Sequence, residues 1–315
     1  IDLPMSTFLP YTPTKTHLLF LKRTDKPRKD YKIFMSYAKT CGHDKRGREI
    51  NEDEIQLIPN HIKKIDKNNH SHLGWEMNLS ELKNNILLPK YYNPELDYEL
   101  SEYQKTGKYL IRSIRDLQEE KLIKVTRGNE VGSENYGTGE VPFIRTSEVA
   151  NWEIIADPTH CLAEDIYEKY KNTQKIEEED IIVVNDGTYL MGRTAMITDI
   201  DTKIVIQSHF RRIKVINKDK LSPYLLLALL GLEIVQKQIE AKSFRQGTIS
   251  TLGSRLFEVK IPIPIDANIK EKLDKEVRQI IKNKRDAKMI AQSYTLFNNT
   301  ENLMGIKNKA KIGNL

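Results

Sequence analysis

Asp186 and the triplet Asp201-Thr202-Lys203 carry an Asp-x-Lys spacing that metal-dependent nucleases use, with carboxylates holding Mg²⁺ and the lysine steadying the attacking water or the phosphate. That chemistry needs carboxylates fixed on strands beside an open metal position. Here Asp186 precedes Gly187 in an Asn-Asp-Gly turn signal and Asp201 falls at the tip of the next turn, so both are expected to be solvated hairpin carboxylates. Neither a catalytic nor a metal-ligating set is assigned. The two cysteines, Cys41 and Cys161, are far apart and lack His or Cys companions at ligand spacing, so neither a zinc site nor a disulfide framework is expected.

Other residues suit recognition rather than reaction. Arg145-Thr146-Ser147 follows the apolar run VPFI, and Arg245-Gln246-Gly247-Thr248 follows an apolar helical segment, so each places donors of several geometries at the end of an element. Arginine pairs bidentately with guanine and glutamine with adenine, while hydroxyls and backbone amides suit phosphate oxygens. Gly247 would let the backbone approach a phosphate closely. In KIVIQSHFRRIKV, Ile204, Ile206, Ser208 and Phe210 alternate with Val205, Gln207, His209 and Arg211, giving one mostly apolar and one polar face. The apolar parity then moves to Ile213 and Val215, which predicts a bulge or twist at Arg211-Arg212 that re-aims these side chains. Ordinary surface charge, and a hydrogen-bonded sheet histidine at position 209, are the competing readings.

Positioning these groups falls to a β-rich stretch. VPFIRTSEV, DIIVVNDGTYLMGRTAMI and KIVIQSHFRRIKV are rich in β-branched residues and are separated by turn signals. Ser222 as N-cap and Pro223 at the first helical position start a helix whose apolar content, over Tyr224 to Ile239, places it in a core. The prolines of FEVKIPIPI confine that strand to an edge or a strand end. Nearer the start, His17 to Leu21 reads as a buried strand, and Ile33, Phe34, Tyr37 and Ala38 recur at helical spacing up to Gly42. Asn51 to His72 reads as a surface loop or link, and Tyr98 to Lys121 as a helix with Leu100, Tyr103, Leu110, Ile111, Ile114 and Leu117 near one stripe. At the far end Leu273, Ile280, Ala287 and Tyr294 stand seven apart, joined by Val277 and Ala291. So narrow a seam predicts a coiled-coil-like contact with another helix, the alternative being an amphipathic helix packed on its own domain.

With 315 residues, 39% of them apolar, the chain can build one large domain or two ordinary ones. A net charge of +6, from 50 basic against 44 acidic residues, permits nucleic-acid binding without demanding it. The longest apolar run, Tyr224 to Leu232, falls far short of the roughly 20 residues of a spanning helix, and no charged-then-apolar leader opens the chain. A cytoplasmic location without membrane contact is expected.

Six segments in order carry a resemblance: FIRTSEVANWEI, IIVVNDGTYLMGRTAMI, IVIQSHFRRIKV, YLLLALLG, RQGTISTLGSRLFEVKIPIP and a closing helix. This order is similar to the target recognition domains of type I restriction-modification specificity subunits, over residues 87–295 and including the entry LLPKYYNPEL. The resemblance implies an α+β fold, with a β-rich target recognition domain, flanking helices and a C-terminal coiled-coil-like spacer helix. It implies reading one half of a bipartite site in double-stranded DNA. The residues expected at the DNA are Arg145, Thr146, Ser147, Asn185, Thr188, Tyr189, Gln207, His209, Arg211, Arg245, Gln246, Gly247 and Thr248. With one recognition domain present, a homodimer or a second specificity domain is expected to pair through Leu273, Val277, Ile280, Ala287, Ala291 and Tyr294.

The opening segments LPMSTFLPYTPTKTHLLFLKR and IFMSYAKTCGHDKRGREI look like the C-terminal end of the adenine-N6 methyltransferase subunit of the same systems. The Gly-rich cofactor loop and the Asn-Pro-Pro-Tyr or Asp-Pro-Pro-Tyr tetrapeptide of such enzymes are missing. Asn93-Pro94-Glu95 is the nearest string and lacks the second proline and the aromatic. No cofactor is expected in this chain, and S-adenosylmethionine is expected in a partner or missing methyltransferase domain, with a restriction/translocase subunit as a further partner. Together with Ile1 in place of Met, this suggests the specificity-bearing tail of a methyltransferase-specificity fusion. The expected segments are a methyltransferase-like remnant (1–80), a linker and entry helix (81–108), the target recognition domain (109–265), a spacer and dimerisation helix (266–298) and a tail (299–315). Two other functions stay open: part of a single-chain methyltransferase-endonuclease, and a protein-interaction scaffold.

Overall fold

At Gly107, whose φ of +67° lies in the left-handed region, one folded unit gives way to another. The computed structural model describes residues 1–26, 30–63, 71–187, 190–246 and 249–293. Residues 1–106 with 244–248 form the first unit, and 107–243 with 249 onward the second.

In the first unit, β1 (Lys32–Met35), α1 (Ile58–Lys63), β2 (Trp75–Asn78) and α2 (Pro94–Lys105) follow one another. β1 and β2 pair antiparallel, with Lys32 opposite Asn78 and Met35 opposite Trp75, and Met35, Trp75 and Met77 bury a small core. The helix expected around Ile33 to Ala38 is therefore a strand. Its partner lies some forty residues away, and local spacing carries no trace of such pairing. The strand expected at His17 to Leu21 is also absent. His17 makes one bridge to Asp2, and with no ladder to join, Leu18 to Leu21 stay 43% to 84% exposed. Within the polar stretch read as a loop, Ile58–Lys63 is helical. Asn93 caps α2, its side-chain oxygen accepting from Glu95 N at 3.1 Å.

The second unit runs β3 (Tyr109–Ser113), α3 (Ile114–Glu119), β4 (Ile123–Arg127), β5 (Phe143–Ile144), β6 (Val149–Ala150), β7 (Glu153–Ile154), α4 (Glu164–Gln174), β8 (Ile181–Val184), β9 (Asp186–Gly187), β10 (Thr194–Met196), β11 (Val205–Ile206), β12 (Phe210–Val215), α5 (Pro223–Leu230) and α6 (Glu233–Lys242). Phe244–Gln246 (β13) groups with the first unit, and β14 (Ile249–Thr251), β15 (Lys260–Pro264) and α7 (Ala267–Ser293) complete the second. The expected helix from Tyr98 to Lys121 is thus broken in two. Past Gly107, β3 pairs with β15, and Ser113 then caps α3 by a reciprocal bond with Asp116. β15 with its prolines lies in a two-stranded ladder, as a strand lacking those donors must.

The central sheet is antiparallel in the order β10-β8-β12-β4. Ile182, Val184, Ala195 and Phe210 line one face and join Ile144, Val149, Ile154, Ile197, Ile204 and Ile206 in the main core. Ser222 caps α5 as expected, accepting from Tyr224 N at 3.1 Å, and nearly every α5 side chain is buried. Helices and strands mix as an α+β fold, closed by the long helix α7. Among the described residues no helix is long and apolar enough to cross a membrane.

α7 packs on its own unit. Val277 and Ile281 are buried, Arg278 lies over the Tyr224 ring at 3.9 Å, and Lys284 pairs with Glu153 at 3.1 Å. Val277 therefore faces inward and is not open to a partner helix. Leu273 is half-buried, while Ile280, Ala287 and Ala291 are exposed on the adjoining stripe. Tyr294 lies outside the described residues.

Candidate nucleic-acid interface

The ends of β4, β5, β8 and β11 bring polar side chains together in the second unit. β11 runs parallel to β5, with Val205 opposite Phe143 and Ile206 opposite Ile144, so Arg145 and Gln207 leave their strands side by side. Gln207 N continues the ladder to Ile144 O at 2.9 Å, and a turn closed by Phe210 N to Gln207 O at 3.0 Å then feeds β12. The segment read as one strand is two, in two sheets. β12 holds an unbroken register against both β4 and β8, so the bulge expected at Arg211-Arg212 is absent. Parity shifts because Arg212 is itself buried among the apolar face, paired with Asp180 at 3.0 Å.

The turn His209 O accepts from Asn185 N at 2.8 Å and Asp186 N at 3.1 Å, which ties it to the β8-β9 junction. Asp186 in turn accepts from Asn185 Nδ2 at 3.2 Å and from the Thr251 hydroxyl, with His209 Nδ1 3.9 Å away. On the other side Arg127 Nε donates to Ser208 O at 2.8 Å, and the Ser208 hydroxyl meets Glu130. Thr146 approaches from β5: a Cβ on Gly187 would lie 3.9 Å from its hydroxyl. Asn185 Oδ1, His209 Nδ1 and Arg211 Nη1 are buried here without a hydrogen bond. Native proteins leave few such atoms, and they call for a ligand or an ordered water.

Arg145 is held from behind. Its Nη1 lies 2.8 Å from His160 Nε2, and since a guanidinium only donates, Nε2 must accept and the ring proton sits on Nδ1. Nδ1 faces Asp157 at 3.2 Å and Glu148 at 3.4 Å. Glu148, Asp157 and His160 have the proximity of a metal-ligand set. A cation there would need the Nδ1 lone pair that Arg145 has already turned into an N–H. The cluster instead fits a support for Arg145, with His160 Nε2 accepting from its guanidinium and Glu148 Oε2 from its backbone amide, while His160 Nδ1 and Glu148 Oε1 are buried without a hydrogen bond. The Thr159 hydroxyl and amide hold Asp157 below its ordinary value, whereas burial pushes the Glu148 carboxyl from 4.5 up to about 7, against the opposing Arg145 amide bond. Because the folded value is the higher one, ionising Glu148 disfavours the fold increasingly as pH rises from about 4.5 through about 7. Glu148→Gln should melt close to wild type at pH 5 and at a higher temperature at pH 8, measured by thermal unfolding followed by circular dichroism. A gap that does not grow with pH would contradict the burial of this charge.

Of the residues expected at DNA, Arg145, Thr146, Gln207, His209 and Arg211 are thus gathered in one region, and Ser147 is exposed beside Thr146. Asn185 is fully buried, so in this conformation it positions Asp186 rather than presenting its own amide. Arg245 groups with the first unit, its Nη1 3.6 Å from Met5 Sδ. Thr188, Tyr189, Gly247 and Thr248 lie outside the described residues, as does the side chain of Gln246. Arg127, Glu130, Thr251 and the trio behind Arg145 are additions that the sequence reading missed. An Arg-Gly step at the end of the β-branched run IKVTRGNE was the one available signal for Arg127.

The nuclease pattern does not assemble. Asp201 accepts from the Thr198 hydroxyl at 2.6 Å and pairs with Lys288 at 2.5 Å, while Lys203 pairs with Glu164 at 2.8 Å. Asp186 belongs to the network above. The two aspartates are not solvated turns as expected, for both are more than nine-tenths buried as structural acceptors.

The family model for type I restriction modification DNA specificity domains matches residues 122–291. No curated protein matches the chain. Among solved structures, the chain is similar to the S subunit of a type I restriction-modification system from M. genitalium, at 16% identity and a TM-score of 0.37, covering 53% of this chain and 37% of that one. It is also similar to the HsdS subunit from Thermoanaerobacter tengcongensis, at 13% identity and a TM-score of 0.35, covering 65% of this chain and 48% of that one. The chain therefore spans about a third to a half of the length of these structures.

Proposed function

The chain belongs to the type I restriction modification DNA specificity domain family, and from that premise we propose that its second unit reads part of a double-stranded DNA site on behalf of a modification complex. What carries this reading is a coincidence of place. The matched span encloses the polar strand ends where Arg145, His209, Arg211 and Arg127 converge around unsatisfied buried groups. Donors of several geometries on a rigid sheet suit base edges and phosphates together. In this reading adenine-N6 methylation belongs to a partner subunit or domain that binds S-adenosylmethionine in the cytoplasm, and a restriction/translocase subunit joins where cleavage accompanies modification. Residues 1–80 would supply a methyltransferase-like contact, 81–108 the entry, 109–265 the reading domain and 266–298 the spacer, followed by the tail. Arg245 and Gln246 of β13, with Gly247 and Thr248 after them, would add further DNA contacts. The test is fluorescence anisotropy of the intact chain with duplex DNA across a salt series: log affinity should fall linearly with log salt. Absence of duplex binding at low salt overturns the proposal.

A second copy, or a second specificity domain, would pair along the exposed stripe of α7. Ile280, Ala287 and Ala291 lie outside the surface that α7 uses against its own unit. Ile280→Asp should therefore leave the fold intact and reduce the self-associated mass in light scattering. An unchanged mass in a chain that does associate removes this helix as the joint.

A further inference from the structure

Arg211 and Arg127 are register partners on neighbouring antiparallel strands, so their side chains leave the same face of the sheet directly opposite one another. Like charges in that relation destabilise a sheet. Proteins usually place a carboxylate between them, and here none reaches ion-pair distance of either guanidinium among the described residues. Asp186 is the opposing charge felt by Arg211, but it forms an ion pair with neither guanidinium and its Oδ1 accepts from both Asn185 Nδ2 and Thr251, while Glu130 is engaged by Ser208. Arg127 is exposed, with its Nε fixed on Ser208 O at 2.8 Å, which aims the rest of its fork. Arg211 is half-buried, and its Nη1 is covered without any acceptor. Burial, and then the Arg127 charge, hold the Arg211 guanidinium below its ordinary value. A single anion with several acceptor oxygens could accept from both guanidinium groups.

We propose that Arg127 and Arg211 form a paired-guanidinium site for one backbone phosphate of duplex DNA, holding the duplex in place without reading its sequence. The proposal rests on the DNA-recognition reading above and goes further by giving these two residues a positioning role distinct from base readout. A phosphate diester offers acceptors to both forks at once, which is the geometry that favours arginine over lysine. The cost of the like-charge pair in the free protein is then offset in the bound state.

Two arms test this on the intact chain. With duplexes, Arg127→Gln and Arg211→Gln should each weaken binding to a cognate and a scrambled sequence by the same factor, about ten- to a hundred-fold. Each should also flatten the slope of log affinity against log salt by about one unit. Each variant should meanwhile melt at or above the wild-type temperature, because repulsion is relieved, so weaker binding cannot be ascribed to misfolding. With inorganic phosphate against chloride at matched ionic strength, the wild type should gain thermal stability and Arg211→Gln should not. Loss confined to one base position with an unchanged salt slope would make the pair a base reader and overturn the proposal, as would unchanged duplex affinity in both variants. If the wild type binds no duplex, the DNA reading fails by itself. The anion site is then upheld by a phosphate-dependent rise in melting temperature that Arg211→Gln abolishes, and overturned by no rise.

Discussion

Arg212→Met lowers the stability of the chain by about 3 to 5 kcal/mol near pH 8, the usual consequence of leaving one partner of a buried ion pair alone. Arg212 and Asp180 are 4% and 1% exposed, and the guanidinium also donates to Thr126 Oγ1 at 3.1 Å and to Lys175 O. Burial raises the Asp180 carboxyl above its ordinary value, and Arg212 is the main force opposing that rise. Without Arg212 the carboxyl rises further. A folded value above the unfolded one penalises the fold increasingly as pH rises, so the deficit of Arg212→Met should shrink in acid, where Asp180 takes up a proton. Urea unfolding at pH 5 and pH 8 measures both terms. Replacing the two together, as Arg212→Met with Asp180→Leu, should recover most of the loss, since an apolar pair of similar volume is often neutral or better. A double variant as unstable as the single one would show that the loss comes from packing and not from a stranded charge.

Gly128→Ala is the second large effect, and it strikes both fold and interface. Gly128 N donates to Phe210 O at 3.2 Å and Asn129 N to Ile206 O at 3.0 Å, which pulls the end of β4 onto the turn at Gln207 to His209. A Cβ at Gly128 would come within 2.6 Å of Ile206 O and 2.7 Å of the Gln207 carbonyl carbon. Backbone cannot yield as a flexible side chain does, so β4 and the turn must separate. Overpacking of this kind costs about 1 to 3 kcal/mol or more. The separation also releases Arg127 from Ser208, so duplex affinity should fall beyond what the stability loss explains. Gly187→Ala is the control in the same cluster, because its Cβ would meet nothing nearer than 3.8 Å and should be tolerated. Equal behaviour of the two alanine variants in thermal melts and in duplex binding would refute this account of Gly128.

How much of this was legible in the sequence depended on how local each signal is. Ser222-Pro223 specified a helix start by chemistry contained in three residues, and the structure has that cap. Arg145 at the end of VPFI was legible as a donor at a strand end, whereas the His160, Asp157 and Glu148 support behind it assembles from positions up to fifteen residues away. The alternation in KIVIQSHFRRIKV did not mark a polar face, since Val205, Gln207 and Ser208 are buried along with Ile204 and Ile206, and the turn at Gln207 to His209 contains neither Gly nor Pro and gave no warning that two sheets were involved. Arg211 and Arg212 were indistinguishable as letters. Only the register and the buried Asp180 separate a side chain facing the interface from one locked in the core. In the first unit, the β1-β2 pair and the exposed run at Leu18 to Leu21 show the same limit, since apolar spacing cannot tell which strand finds a partner. The seam of α7 held two faces at once, one packing inward through Val277 and Ile281 and one left outward at Ile280.

That the second unit reads DNA sequence is tested most directly by incubating the intact chain with a pool of duplexes carrying a randomised core, at moderate salt, and sequencing the bound fraction. The account predicts enrichment of a short fixed motif over the input, an enrichment that Arg145→Ala relaxes at one position and that Arg127→Gln leaves unchanged in pattern while reducing the amount bound. A bound fraction with the same composition as the input, at every salt concentration where binding occurs, would contradict it.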